Sequence, residues 1–195
     1  MHVLPRRSAD LGPLLRFLPP AALDRLAVRA VAAATLSPTA RQLLDHRRDM
    51  TSTLERWLGE PLHLRVLARL RNDDELLRQV VLVGARSGRV AELGAIGIRL
   101  ERFAPLVRAE ILTARHPLGA LLARHAIAYT SRPRSFLALS ADADVARVLG
   151  PGVATGDALW GRTNLLSTPA GETLARVVEI LPPGLERVPG VWGEA

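Results

Sequence analysis

The sequence predicts an α+β fold built on one antiparallel sheet of about six strands. Three observations carry that prediction. The apolar period changes to strict alternation at Leu62, where Leu62, Leu64, Val66, Ala68 and Leu70 alternate with His63, Arg65, Arg69 and Arg71. The strand-like segments that begin there are joined by turns of only a few residues, which suits antiparallel neighbours. The strands also cluster without a regular strand–helix alternation. At 195 residues, 48% of them hydrophobic, the chain is long enough for one domain with a full core. Only 4% is aromatic, so Leu, Val and Ala must fill that core.

The elements follow in order. Residues 1–12 read as a loose tail. Ala21–Ala34 is Ala-, Leu- and Arg-rich and helical by propensity, entered after Pro19-Pro20. Ser37-Pro38 reads as an N-cap with proline at the first helical position, opening a helix to about Arg47. Asp49 caps a helix from Met50 that Gly59 stops. The alternating strand then runs from Leu62 to Arg71, with Leu67 out of phase. Asn72–Glu75 is a turn, Leu76–Val83 a strand, Gly84–Gly88 a second turn, and Arg89 to about Leu100 a third strand. Helices are predicted near Ala104–Thr113 and Leu118–Arg124. Strands are predicted at Ile127–Leu139, Ala158–Ser167 and Thr173–Leu181, with a short helix near Asp142–Leu149. The segment from Pro183 to Ala195 reads as a tail beyond the core.

Composition excludes several chemistries. Without cysteine there is no disulfide, no thiolate nucleophile and no cysteine zinc site. His2, His46, His63, His116 and His125 have no metal-ligand spacing, so no metal is expected. There is no nucleotide-binding glycine loop and no nucleophile elbow, so no cofactor is expected. Pro19-Pro20 and Arg16 interrupt any signal-like run, and Ala27–Leu36 is too short to span a bilayer. A cytoplasmic monomer with no membrane span is the expectation. The net charge of +7 comes entirely from arginine, as there is no lysine. Those arginines are spread along the chain without interleaved aromatics, which argues against nucleic acid as a partner.

Four places could carry chemistry. Arg78 stands alone in Leu76-Leu77-Arg78-Gln79-Val80-Val81-Leu82-Val83. A guanidinium there either faces solvent, meets a protein carboxylate, or waits for an anionic ligand that it would grip bidentately. His116-Pro117-Leu118-Gly119 starts a helix and leaves N–H groups free to hold an anion, or is a plain helix start. In Leu159-Trp160-Gly161-Arg162 the glycine marks a bulge or a close backbone approach, and Trp160 reads as core. Glu179, in apolar company before Ile180-Leu181-Pro182, is the candidate proton-transfer group, or else a paired or edge-strand glutamate.

In that order, these motifs resemble the chorismate pyruvate-lyase family over roughly Asp49 to Pro183. The resemblance divides the chain into N-terminal helices (1–48), a family core (49–183) and a tail (184–195). It implies helical flaps over a buried ligand pocket. It also implies a cofactor-free conversion of chorismate to 4-hydroxybenzoate and pyruvate. Arg78 would bind the ring carboxylate, helped by the Leu118 amide beside Gly119, with Met50 as backbone contact and cover. Glu179 would handle the proton. Two departures stand out. Thr163 replaces an arginine that the family commonly has, and two residues rather than three separate Glu179 from the closing proline. On a strand, one residue of slip turns a side chain to the other face, so the sequence leaves the face of Glu179 open. The same fold serves as the effector-binding domain of certain bacterial transcription regulators. A non-catalytic binder of small aromatic acids is therefore the alternative, although 48 residues before Asp49 are few for a winged-helix domain.

Overall fold

The structure, a computed structural model, describes residues 11–17, 25 and 27–185. Its strands are β1 (Arg29–Val31), β2 (Leu62–Arg71), β3 (Glu75–Gly84), β4 (Val90–Arg99), β5 (Thr130–Ser140), β6 (Ala158–Ser167) and β7 (Thr173–Leu181). The helices are α1 (Gly12–Leu15), α2 (Pro38–Leu44), α3 (Met50–Leu58), α4 (Pro105–Thr113), α5 (Leu118–Arg124) and α6 (Ala143–Leu149). All strands join one sheet in the order β1-β5-β6-β7-β4-β3-β2, every pairing antiparallel. Two meanders, β2-β3-β4 and β5-β6-β7, the second with α6 between β5 and β6, meet where β4 pairs with β7.

Side-chain alternation gives the sheet two buried faces. One face, with Val81, Leu93, Val178, Ile180 and Leu159, packs against Leu14 of α1 and Val145, Ala146 and Leu149 of α6. The other face carries two separate apolar clusters. Leu76, Ile98, Leu166 and Ala175 pack under α4 and α5, while Leu82 and Leu181 pack under α2 and α3. Between those clusters the same face is polar, and the candidate site lies there.

Local chemistry explains most boundaries. The Ser37 side chain accepts from the Ala40 amide at 3.2 Å and caps α2. Asp49 accepts from the Ser52 amide at 2.8 Å and caps α3, which ends at Gly59 in the left-handed region (φ 68°). Leu67, the residue out of phase, is a bulge: the β2–β3 register shifts between Val66 and Ala68, and Leu67 is 37% exposed.

Three boundaries differ from expectation. Arg29–Val31, expected within a helix, forms β1 on β5, so the sheet has seven strands. Val28 and Val31 reach apolar clusters on opposite faces of the sheet, and that packing overrides the helix propensity of the flanking alanines. Residues 21–24 and 26 of the expected helix lie outside the described residues, as do 18–20 before it. Helix α2 stops at Leu44 rather than near Arg47, because the Leu44 and His46 carbonyls are taken by a buried arginine described below. Strand β5 begins at Thr130, because Ile127 still donates to the Leu122 carbonyl and Ala126 turns through φ 50°.

The expected tails stay partly on the core. Leu11 packs beside α1, and Leu185 is buried with its carbonyl accepting from the Trp57 indole at 3.1 Å. Residues 1–10 and 186–195 lie outside the described residues. Among the described residues no helix is long and apolar enough to cross a membrane.

Candidate functional site

The polar strip is made of two cross-strand rows. One row runs Arg78, Ile96, Val177, Asn164 across β3, β4, β7 and β6. The next runs Val80, Gly94, Glu179, Arg162. Above them is a cavity with about 660 Å³ of empty space, its open mouth included. Its apolar walls include Leu64, Leu82, Ile96, Leu166 and Val177. Its cover is the N-terminal end of α3, with Asp49, Met50 and Thr51, and the N-terminal end of α5, with Pro117, Leu118 and Gly119. The two ends interlock. A Cβ on Gly119 would lie 2.2 Å from Asp49 Oδ1, so only glycine lets α5 approach the α3 cap this closely.

Arg78 projects into this cavity and is 1% exposed. Its sole hydrogen bond among the described residues is a long one, Nη1 donating to the His116 carbonyl at 3.5 Å. Nε has no partner, and no acidic side chain of the described residues pairs with it. Burial without a partner charge pulls its pKa down to about 10, which still leaves a cation at neutral pH. An unpaired buried cation is costly, and a ligand anion removes that cost.

Glu179 lies on the cavity face, which settles its orientation. It is not in purely apolar company as expected. It forms a buried ion pair with Arg162 Nε, and both side chains are nearly inaccessible. Arg162 Nη1 also donates to the Leu44 carbonyl at 2.8 Å and the His46 carbonyl at 3.0 Å, pinning the end of α2 to the sheet. Burial and the nearby Arg162 hold the His46 pKa down at about 4, so the imidazole is neutral at physiological pH.

A second carboxyl group lines the cavity. Glu92 of β4 is 5% exposed, and its Oε2 has no hydrogen-bond partner. Burial, and then the neighbouring Glu179, raise its pKa well above the ordinary value. Asn164 also lines the cavity. Its Nδ2 donates to Ser131 Oγ at 3.0 Å and its Oδ1 is unpartnered.

The structure thus brings Arg78, Met50, Leu118, Gly119 and Glu179 to one cavity. Trp160 lies outside it and packs in the apolar cluster under α2 and α3. Gly161 is a close backbone approach, since a Cβ there would sit 2.6 Å from the Glu179 carbonyl oxygen. Sequence reasoning missed Glu92, Arg162 and Asn164. The signal for Glu92 was present, because a lone charge in Val90-Ala91-Glu92-Leu93-Gly94-Ala95-Ile96 poses the question that Arg78 poses in β3. Among the described residues no group of three or more His, Asp or Glu side chains is placed to hold a metal ion.

No family model and no curated protein matches the chain. Solved structures do. PhnF from Mycobacterium smegmatis is 15% identical with a TM-score of 0.56, the match covering 71% of this chain and 65% of that one. The effector domain of PhnF alone is 14% identical with a TM-score of 0.53, covering 69% of this chain and 88% of that one. YydK from Bacillus subtilis subsp. subtilis str. 168, described as a possible transcriptional regulator, is 8% identical with a TM-score of 0.51, covering 69% and 61%. At such identities the likeness is one of fold. That fold is chorismate lyase-like, an α+β architecture on one antiparallel sheet. The chain spans about two thirds of whole PhnF and most of its effector domain.

Proposed function

We propose that the chain is a binding module for a small aromatic carboxylate, of the effector-sensing kind. One observation carries this reading: the Arg78 guanidinium is buried in a covered cavity, and among the described residues no carboxylate pairs with it. The walls around it are largely apolar. Arg78 grips the ligand carboxylate in a bidentate pair, which fixes both position and orientation. The first amides of α5, at Leu118 and Gly119, have no intrahelical acceptor and face the same anion. Met50 covers the ring. The likeness to an effector domain supports this reading over catalysis.

A thermal-shift series tests it. Benzoate and 4-hydroxybenzoate should raise the melting temperature, and benzyl alcohol should not. Equal shifts from all three, or none from the acids, would count against the assignment.

A second reading is favoured by the position of Glu179 on the cavity face. In it the protein is a chorismate lyase. The ring C–O bond to the enolpyruvyl group breaks, a ring proton is lost, and the enolpyruvate oxygen is protonated. The products are 4-hydroxybenzoate and pyruvate. Glu179 would carry the proton, and Glu179→Gln would then slow turnover ~10²–10⁴-fold. Pyruvate release from chorismate by the purified protein decides between the two. Ligand binding without pyruvate leaves the sensing module.

A further inference from the structure

We infer that Glu92 is the specificity-determining residue of this cavity, donating a hydrogen bond from its carboxyl group to an uncharged oxygen on the ligand at the pole away from Arg78. The inference rests on the proposed binding of an aromatic carboxylate and adds what the rest of that ligand must be. Its basis is geometric. Glu92 is 5% exposed, lines the cavity and leaves Oε2 without a partner. Gly94 gives it room: a Cβ at position 94 would sit 2.9 Å from Glu92 Oε1. The Glu92 carboxyl therefore leans over Gly94 into the row of Glu179. That row is two residues along the sheet from the row of Arg78, roughly 7 Å at strand spacing, a separation on the scale of one ring.

Charge accounting fixes the form of the group. The charged side chains around Glu92 are Glu179 of β7, Arg162 of β6 and the α3 cap Asp49, with Arg78 across the cavity and the exposed Arg48 also on its lining. Arg162 is engaged by Glu179 through Nε and by two carbonyls through Nη1, while its Nη2 has no partner among the described residues. Two carboxyl groups thus share one end of a buried cavity, Glu179 holds the ion pair with Arg162, and Glu92, which has no ion pair among the described residues, keeps its proton. A protonated carboxyl is a donor as well as an acceptor. The site is then dipolar: a cation for the ligand carboxylate at one pole, and a neutral donor for a hydroxyl, keto or ether oxygen at the other. A second carboxylate would meet Glu179 and be rejected.

Titration calorimetry of the full chain with benzoate, 4-hydroxybenzoate and benzene-1,4-dicarboxylate tests this, using the wild type, Glu92→Gln and Glu92→Leu. The wild type should prefer 4-hydroxybenzoate over benzoate by up to about tenfold, one hydrogen bond between neutral groups being worth roughly that, and bind the dicarboxylate weakest. Glu92→Gln keeps a neutral donor and should keep the preference. Glu92→Leu should abolish the preference and leave benzoate affinity nearly unchanged. A wild type that binds benzoate and 4-hydroxybenzoate equally overturns the role of Glu92 but leaves the binding function standing, and needs no variant to fold. A leucine variant that keeps the preference, or weakens both ligands alike, also overturns it. A wild type that binds none of the three overturns the binding function itself.

Discussion

Arg78 and Glu92 show what single residues contribute here. Each is an ionisable group among apolar neighbours inside a strand, and neither has a counter-ion of its own among the described residues. Arg78→Met removes a buried, unpaired cation and keeps an unbranched side chain of similar reach. It should leave melting temperature unchanged or raise it, by up to about 1–4 kcal/mol of stability, while binding falls by on the order of 2–4 kcal/mol. Chemical denaturation beside ligand titration checks both halves. Glu92 couples stability to pH. Its pKa in the folded protein is raised above the ordinary 4.5. From pH 4.5 upward to that raised value, the folded protein holds a proton that the unfolded chain has released. Stability therefore falls as pH rises through this window. Glu92→Gln should be more stable than wild type, with a gain larger at pH 8 than at pH 5. Melting curves at the two pH values read this directly, and a pH-independent gain would contradict it. Arg78 was legible in the sequence because charge among apolar neighbours demands a partner. Glu179's pairing with Arg162 was not, because the two are distant in sequence and meet only through the β6–β7 register.

At the scale of elements, the cavity depends on close approaches that only glycine allows. Gly119→Ala would drive a Cβ against the Asp49 carboxylate and part the two helix ends that cover the ligand. It should weaken binding more than it destabilises the fold, as titration and melting of the same sample would show. Gly161→Ala is different, because its Cβ would meet the Glu179 backbone carbonyl, which cannot swing aside. Overpacking there should destabilise by about 1–3 kcal/mol. Denaturant midpoints for the two variants test the contrast. The hairpins β2-β3-β4 and β6-β7 were readable because alternation and turn residues are local signals, and the ends of β6 and β7 were read to the residue. The caps Ser37 and Asp49 were readable for the same reason. Strand β1 was not. Its three residues earn their conformation only by pairing with β5, about a hundred residues later.

Across the whole molecule, one ion pair ties the binding face to the outer helices. Arg162 links Glu179 on the sheet to the last carbonyls of α2 and helps set the end of that helix. Breaking a buried pair from one side strands the other charge, so Glu179→Leu should cost about 3–5 kcal/mol, and a Glu179→Leu/Arg162→Met double variant should cost less than that single change. Loss of function in a Glu179 variant therefore has to be read beside its melting temperature. The fold was legible as one antiparallel α+β sheet because strands outnumber the connections that parallel order requires. The meeting of the two meanders at β4 and β7 was not legible, since nothing local encodes it. That junction is what sets Arg78 and Glu179 on the same face, and the central claim concerns the unpaired cation it exposes to the cavity. Isothermal titration of 4-hydroxybenzoate into the wild type and into Arg78→Ala tests that claim most directly. Saturable one-to-one binding by the wild type, lost in a variant that still melts cooperatively, is the predicted result; equal binding by both proteins, or none by the wild type, would contradict it.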